Sequence, residues 1–291
     1  MSINRKQKTK TNRRFSRRAF IKSSVGIATA SVASGGLLRS ANAQSQFSEY
    51  IPYDSTRDYH YGSRYGREII EHHHPETEPT GEKFTFVRLK YPGGDWWTNL
   101  VNVYRWQSDL KFTQVLAENT AIDVDLRNHP QYVDIDDSWL FAYPFLYMTG
   151  HGRTSTGMRL TDVHIRKLRE YFERGGFLHV EDCDIRYNRF RPQIIRMMQR
   201  IYPEKQFEQL DMSHPIYHTL YPHDDYLGGD KLVRGFEYDE AIMDDDKVMV
   251  YFCPSDLNCA WEGRICSPGG EEQRMWAFRQ GMNVVAYALT R

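Results

Sequence analysis

The chain has 291 residues with 38 Lys and Arg against 38 Asp and Glu, but the balance is uneven along its length. Residues 1–43 hold ten of the basic residues and no acidic one, which leaves 28 against 38 in the rest. An acidic body of this kind argues against a nucleic-acid partner or an anionic membrane surface.

In chain order, Ser16-Arg17-Arg18-Ala19-Phe20-Ile21-Lys22 resembles the twin-arginine export signal. A small-residue apolar stretch follows from Ser23 to Leu38, and Ala41-Asn42-Ala43 offers an A-x-A cleavage site. This order predicts a signal peptide over residues 1–43, the twin-arginine translocase as a partner during export, and a periplasmic or secreted destination. No later stretch approaches the roughly 18 consecutive apolar residues that span a bilayer, so no membrane span is expected after cleavage.

Residues 44–80 are rich in Tyr, Pro, Gly and charge without a sustained period, and read as an extended arm or linker. Neighbouring side chains of an extended segment point apart, so His72, His73 and His74 suit a solvated turn before Pro75 better than a shared metal.

From Phe84 onward, strands and helices alternate. "FTFVRLKY" reads as a strand stopped at Pro92-Gly93-Gly94, and "TNLVNVYRWQSDLKFTQVLAEN" as a long helical stretch. "YPFLYMTGHG" supplies a buried-type strand. Thr161 suits the cap of a helix with Ile165, Leu168 and Phe172 on one face, ended by Gly175-Gly176. "FLHV" is the next strand, a helix starts near Pro192, "KVMVYFC" is a late strand, and a closing helix carries Phe278, Met282, Val285 and Leu289. The expectation for residues 81–291 is one α/β domain, a mainly parallel sheet with helices on both faces.

Ligands of open parallel sheets bind beyond the carboxyl ends of the strands. The segments after the expected strands bring Asp95, Trp96 and Trp97; Gly150, His151, Gly152 and Arg153; Glu181, Asp182, Cys183 and Asp184; Ser213, His214 and Pro215; and Ser255, Asp256, Trp261 and Glu262. Trp96 and Trp97 suit stacking on a flat ligand or simple packing, and Gly150–Arg153 an anion cradle or an ordinary loop. His214 suits catalysis or a held turn, and Asp256 and Glu262 a site or loop solvation. The acidic group around Cys183 stands out: carboxylates buried together raise one another's pKa and poise one as acid or base, unless a cation compensates them. His151 suits that cation, or a ligand of a metal shared with Asp182 and Asp184. A buried structural network is the alternative. Cys253, Cys259 and Cys266 lie near one another, which permits a disulfide outside the cytoplasm, while their spacing differs from the C-x-x-C pairs of zinc ribbons.

"YPGGDWW", "YMTGHG", "LREYFERGGFLHVEDC", "SHPIY", "DLNCAWE" and "MNVVAYALT" together resemble the family called domain of unknown function 4159, over about residues 82–291. The resemblance implies a fold like that of the class I glutamine amidotransferases, a flavodoxin-like three-layer sandwich. Those enzymes set their cysteine in a G-x-C-x-G elbow directly after a strand and complete the triad with a late His-x-Glu. Here "VEDCD" has no flanking glycine, Cys183 falls about two positions beyond the elbow, and the late pair is missing, so glutaminase activity is not expected.

The leading expectation is an exported hydrolase or binding protein for envelope sugars or glycans. Asp182 is its acid or base, and His151 and Asp184 orient it or hold a cation. Asp95, Trp96, Trp97, Arg153, His214 and Asp256 contact the ligand. Its rivals are a noncatalytic partner-binding module of the periplasm and a metal-dependent enzyme. No cofactor follows from the residues.

Overall fold

The computed structural model describes residues 68–69, 73–96, 101–102, 108–152, 157–183, 189–230, 237–262 and 266–291. The expected signal segment, most of the arm, Trp97, Arg153 and Asp184 lie outside the described residues.

The strands are β1 (Glu68–Ile69), β2 (Val87–Lys90), β3 (Val101–Asn102), β4 (Gln131–Asp134), β5 (Phe145–Gly150), β6 (Phe177–Asp182), β7 (Glu208–Gln209), β8 (Glu240–Asp244) and β9 (Lys247–Cys253). The helices are α1 (Ser108–Asn119), α2 (Asp162–Glu173), α3 (Arg191–Ile201), α4 (Leu257–Trp261) and α5 (Gly270–Thr290). β1 and β3 form a separate antiparallel pair, and the other seven strands make one sheet in the order β4-β2-β5-β6-β9-β8-β7. The first five are parallel; β8 and β7 extend the sheet antiparallel. Numbered by chain position, the parallel strands lie in the order 2-1-3-4-5, so the connections leave β2 and β5 in opposite directions.

Side chains of a strand alternate between faces, and each face has its own core. Phe145, Tyr147, Phe177 and Tyr251 pack with α1, α4 and α5; Leu146, Met148, Leu178, Val180 and Val250 pack with α2 and α3. The result is an α/β fold with a mostly parallel sheet between two helical layers. Among the described residues no helix is long and apolar enough to cross a membrane.

Local signals explain most elements. Thr161 caps α2 by accepting from the His164 amide, and the His164 ring accepts in return from the Thr161 amide, a reciprocal capping box. Ile165, Leu168 and Phe172 are buried, and Gly175 leaves α2 at φ +90°. α3 starts with Pro192 in its first turn and buries Ile194, Met198 and Ile201.

Three expectations change. The stretch read as one helix from Thr98 contains β3, and its described helix spans Ser108–Asn119, in keeping with β-branched Val101 within β3. β6 continues through Glu181 and Asp182, which are both buried, because the sheet supplies partners for polar groups that sequence periodicity treats as strand breakers. Before Pro75, the turn is docked rather than simply solvated: His73 exchanges backbone bonds with Pro130 and Tyr132, and His74 pairs with Asp137 and stacks on Trp139.

Candidate functional site

The loops after β2 and β5 meet where the connections diverge, the place where open α/β sheets form a crevice. Tyr91 donates its hydroxyl to the Thr149 carbonyl (2.9 Å), and this brings the turn Pro92–Gly94 over the end of β5. Asp95 then accepts from the His151 backbone amide (3.0 Å) and shares a proton with His151 Nδ1 (2.8 Å). Gly150 is needed for this approach: a Cβ there would lie 2.6 Å from Tyr91 Oη and 3.0 Å from Asp95 Oδ1.

On the next strand, Cys183 directly follows β6 and donates its amide to the Gly150 carbonyl (3.1 Å). Its thiol hydrogen-bonds the His151 side chain. With Nδ1 committed to Asp95, Nε2 is the ring nitrogen available to the sulfur. Burial pulls the His151 pKa down, but the bonds to Asp95 and Cys183 outweigh it and hold it at about 10. Burial alone would raise Asp95; the bonds and charge of His151 bring it below the ordinary carboxylate value. A hydrogen bond with Cys259 lowers the Cys183 pKa, burial and Asp256 oppose this, and His151 tips the balance to about 7. Asp95, His151 and Cys183 thus form a carboxylate–imidazole–thiol line across the ends of three neighbouring strands.

A second group closes on Cys183 from the far side. After β9, Asp256 sits in the left-handed region (φ 59°, ψ 62°) and caps α4 by accepting from the Cys259 amide (3.1 Å). A non-glycine residue held there is strained unless its surroundings enforce it. This turn places Cys259 Sγ 4.0 Å from Cys183 Sγ, and donor atoms of Cys183, Asp256 and Cys259 all lie within 4.8 Å of one another. None of the four cysteines forms a disulfide, so the three that are close in sequence are not joined to one another.

Below this group lies a buried polar network. Glu181 accepts from Tyr147 Oη (2.6 Å) and the Asn258 amide (2.9 Å). Asn258 donates to Ser108 Oγ (2.9 Å), and Arg88 forks onto Asp109 with two bonds of 2.7 Å. Arg88 also donates to the Trp96 carbonyl (3.1 Å), which ties the network to the Asp95 turn. Burial, together with the charges of Asp256 and Cys183, pushes the Glu181 pKa well up.

The expected site residues separate. His151 and Asp95 meet as partners, which the sequence reading did not propose, and Asp256 is buried beside Cys183 and Cys259 rather than solvating a loop. Asp182 belongs elsewhere: it lies on the opposite face of β6 from Glu181, and its Oδ2 accepts from the Arg191 amide (3.4 Å), next to the uncapped start of α3. That is the setting of a helix-end anchor. His214 is also not at this edge. Its ring accepts from the Ile216 amide and packs on Tyr287, whose hydroxyl takes the Val248 amide near the amino end of β9. The expected anion cradle at Gly150–Arg153 is changed as well, since the His151 amide is spent on Asp95. Trp96 is half-buried against Tyr132, while Trp261 is a core residue stacked on Phe112. Cys259 and Asn258 were missed as site residues, and Glu181 was named only within the acidic group around Cys183. Reading β6 two residues longer would have set Cys183 directly at the strand end.

Residues 85–289 match the family described as domain of unknown function (DUF4159). The chain belongs to the DUF4159 family. The matched residues include those described above, from Arg88 and Asp95 to Cys259. No curated protein matches this DUF4159 chain.

Proposed function

We propose that this DUF4159 protein is exported by the twin-arginine route and acts outside the cytoplasm as a hydrolase on a polar envelope ligand of the sugar or glycan class. The observation that carries the reading is the line Asp95–His151–Cys183 at the carboxyl edge of the sheet. A carboxylate fixes the imidazole through Nδ1, so the other nitrogen is aimed for proton transfer. His151 moves the proton, Asp95 positions it, and Cys183 lies next to the ring at the end of β6. The strand order 2-1-3-4-5 supports a sandwich of the class I glutamine amidotransferase type, though with the histidine after β5 instead of near the chain end.

The test is a screen of the purified protein against chromogenic esters, amides and glycosides, with thermal shift against envelope sugars. For the substrate found, His151→Ala is expected to lower turnover by roughly 10²–10⁴-fold, the usual contribution of a positioned acid or base. Asp182→Asn should leave turnover near the wild-type rate. Equal turnover in His151→Ala and wild type would rule the assignment out.

Export is checked separately by fusing residues 1–43 to a reporter that is active only outside the cytoplasm. Replacing Arg17 and Arg18 with lysine is expected to abolish its signal, and export that persists would remove the twin-arginine reading.

The second reading is a noncatalytic periplasmic module that binds a partner, favoured by the closed network of Arg88, Asp109, Asn258 and Glu181 under the loops. It predicts that His151→Ala lowers thermal stability while no small ligand raises it.

A further inference from the structure

We propose that Cys183, Asp256 and Cys259 bind one divalent cation of the zinc class, beside His151 at the carboxyl edge of the sheet. This deepens the hydrolase reading and rests on the same site.

Geometry is the first argument. Two thiolates bound to one zinc at about 2.3 Å in tetrahedral array stand roughly 3.8 Å apart, and a disulfide holds its sulfurs at about 2.0 Å. Cys183 and Cys259 are at 4.0 Å, the spacing of co-ligands rather than of a bonded pair. Asp256 brings a carboxylate oxygen within 4.8 Å of both sulfurs, and its left-handed backbone aims that side chain into the turn from which Cys259 rises.

Charge balance is the second. Cys183, Asp256, Cys259 and Glu181 bring four acidic groups together where none is more than a tenth exposed. Buried acids persist when they are paired or when they coordinate a cation. Arg88 is within electrostatic range of Glu181 but is held by Asp109 in a two-bond fork, and the His151 ring beside Cys183 is held by Asp95. Glu181 is fully buried, its Oε2 is satisfied twice, and its Oε1 has no hydrogen-bond partner while Asp256 and Cys183 lie within electrostatic range.

The donor set fits the ion. Two sulfurs and one carboxylate suit a borderline-soft divalent metal better than magnesium or calcium. Three protein ligands are the number that a catalytic zinc uses while keeping a position for water or substrate. Binding releases the thiol protons to solvent, and His151, fixed by Asp95, stands next to the ligand Cys183.

The experiment uses the full exported chain purified without chelator. Elemental analysis is expected to find about one zinc-class ion per chain. Cobalt added after chelation should give a thiolate-to-cobalt charge-transfer band. Cys183→Ser, Cys259→Ser and Asp256→Asn should each weaken binding by more than the roughly 10–100-fold typical of losing an outer partner. Asp182→Asn should bind as wild type. Circular dichroism separates lost binding from lost fold, and Asp256→Asn is the mildest variant should a serine variant not fold. Absence of metal uptake by folded wild type, a Cys183–Cys259 disulfide in its place, or undiminished binding in all three variants would overturn the proposal. Bound metal without turnover on any substrate removes the hydrolase and keeps the site; turnover that is lost in His151→Ala yet indifferent to complete metal removal does the reverse.

Discussion

Arg88→Met is expected to lower unfolding free energy by about 3–5 kcal/mol, the cost of leaving one partner of a buried ion pair alone. The Arg88 and Asp109 side chains are 0% and 3% exposed, and the fork between them is made of two bonds of 2.7 Å. Burial opposes the Arg88 charge, but Asp109 outweighs it and raises the guanidinium pKa, so the arginine stays ionised at all working pH. Once it is removed, the Asp109 carboxylate faces Ser108 and Asn258 without a counter-charge. Urea unfolding at neutral pH measures the loss. The double variant Arg88→Met, Asp109→Leu should recover most of it, because a pair replaced by apolar groups leaves no buried charge. A loss below about 1 kcal/mol in the single variant would show that solvent reaches the pair. Since Arg88 also holds the Trp96 carbonyl, next to Asp95, the single variant should lower turnover too.

His179→Phe is expected to stabilise the protein, increasingly so as the medium becomes acidic. His179 is fully buried, both ring nitrogens lack partners, and the ring is edge-on to Phe145, Tyr147, Tyr251 and Trp261. Burial pulls its pKa down from 6.5 to about 3. The unfolded chain therefore binds a proton between these values that the folded chain does not. Stability rises with pH across that window and is lost as pH falls from 6.5 toward 3, by on the order of 4 kcal/mol from this residue. Phenylalanine keeps the aromatic packing, has no proton to take up, and removes an unsatisfied polar group worth about 1–3 kcal/mol. Burial also raises Asp239, against three tyrosine hydroxyl bonds that lower it, to about 6, which acts in the opposite sense. That contribution is common to both proteins and cancels in their difference. Denaturant melts at pH 7 and pH 4 are the check: a gap that does not widen at pH 4 would mean that the ring is hydrated. His179→Leu guards against a phenylalanine that overfills the site.

Asp182 and Cys183 show how far the residues could be read. "FLHV" is apolar and reads as a strand; Glu181 and Asp182 are acidic and read as loop. In the fold Glu181 has Tyr147 and Asn258 as partners, from residues 34 and 77 positions away, and these let the strand continue. The two-residue error moved Cys183 off the strand end and gave its place to Asp182. The Asp95–His151 pair, 56 positions apart, was named residue by residue as two candidates, but the bond between them was not. Cys259 was grouped with Cys253 and Cys266 by chain proximity, whereas its sulfur neighbour is 76 positions away.

The sequence by itself determined the alternation of elements, the α/β class, the parallel sheet core and the family resemblance, together with the helix cap at Thr161 and the helix start at Pro192. All of these depend on periodicity and on contacts within a few residues. The tertiary structure alone decided which of several polar loops meet at the carboxyl edge of the sheet, that Asp182 turns toward α3 while Glu181 turns toward Tyr147, and that Cys183 meets His151 and Cys259. The reason is physical: a strand puts successive side chains on opposite faces, so one residue of register reverses every assignment, and register is set by partners far away in the chain.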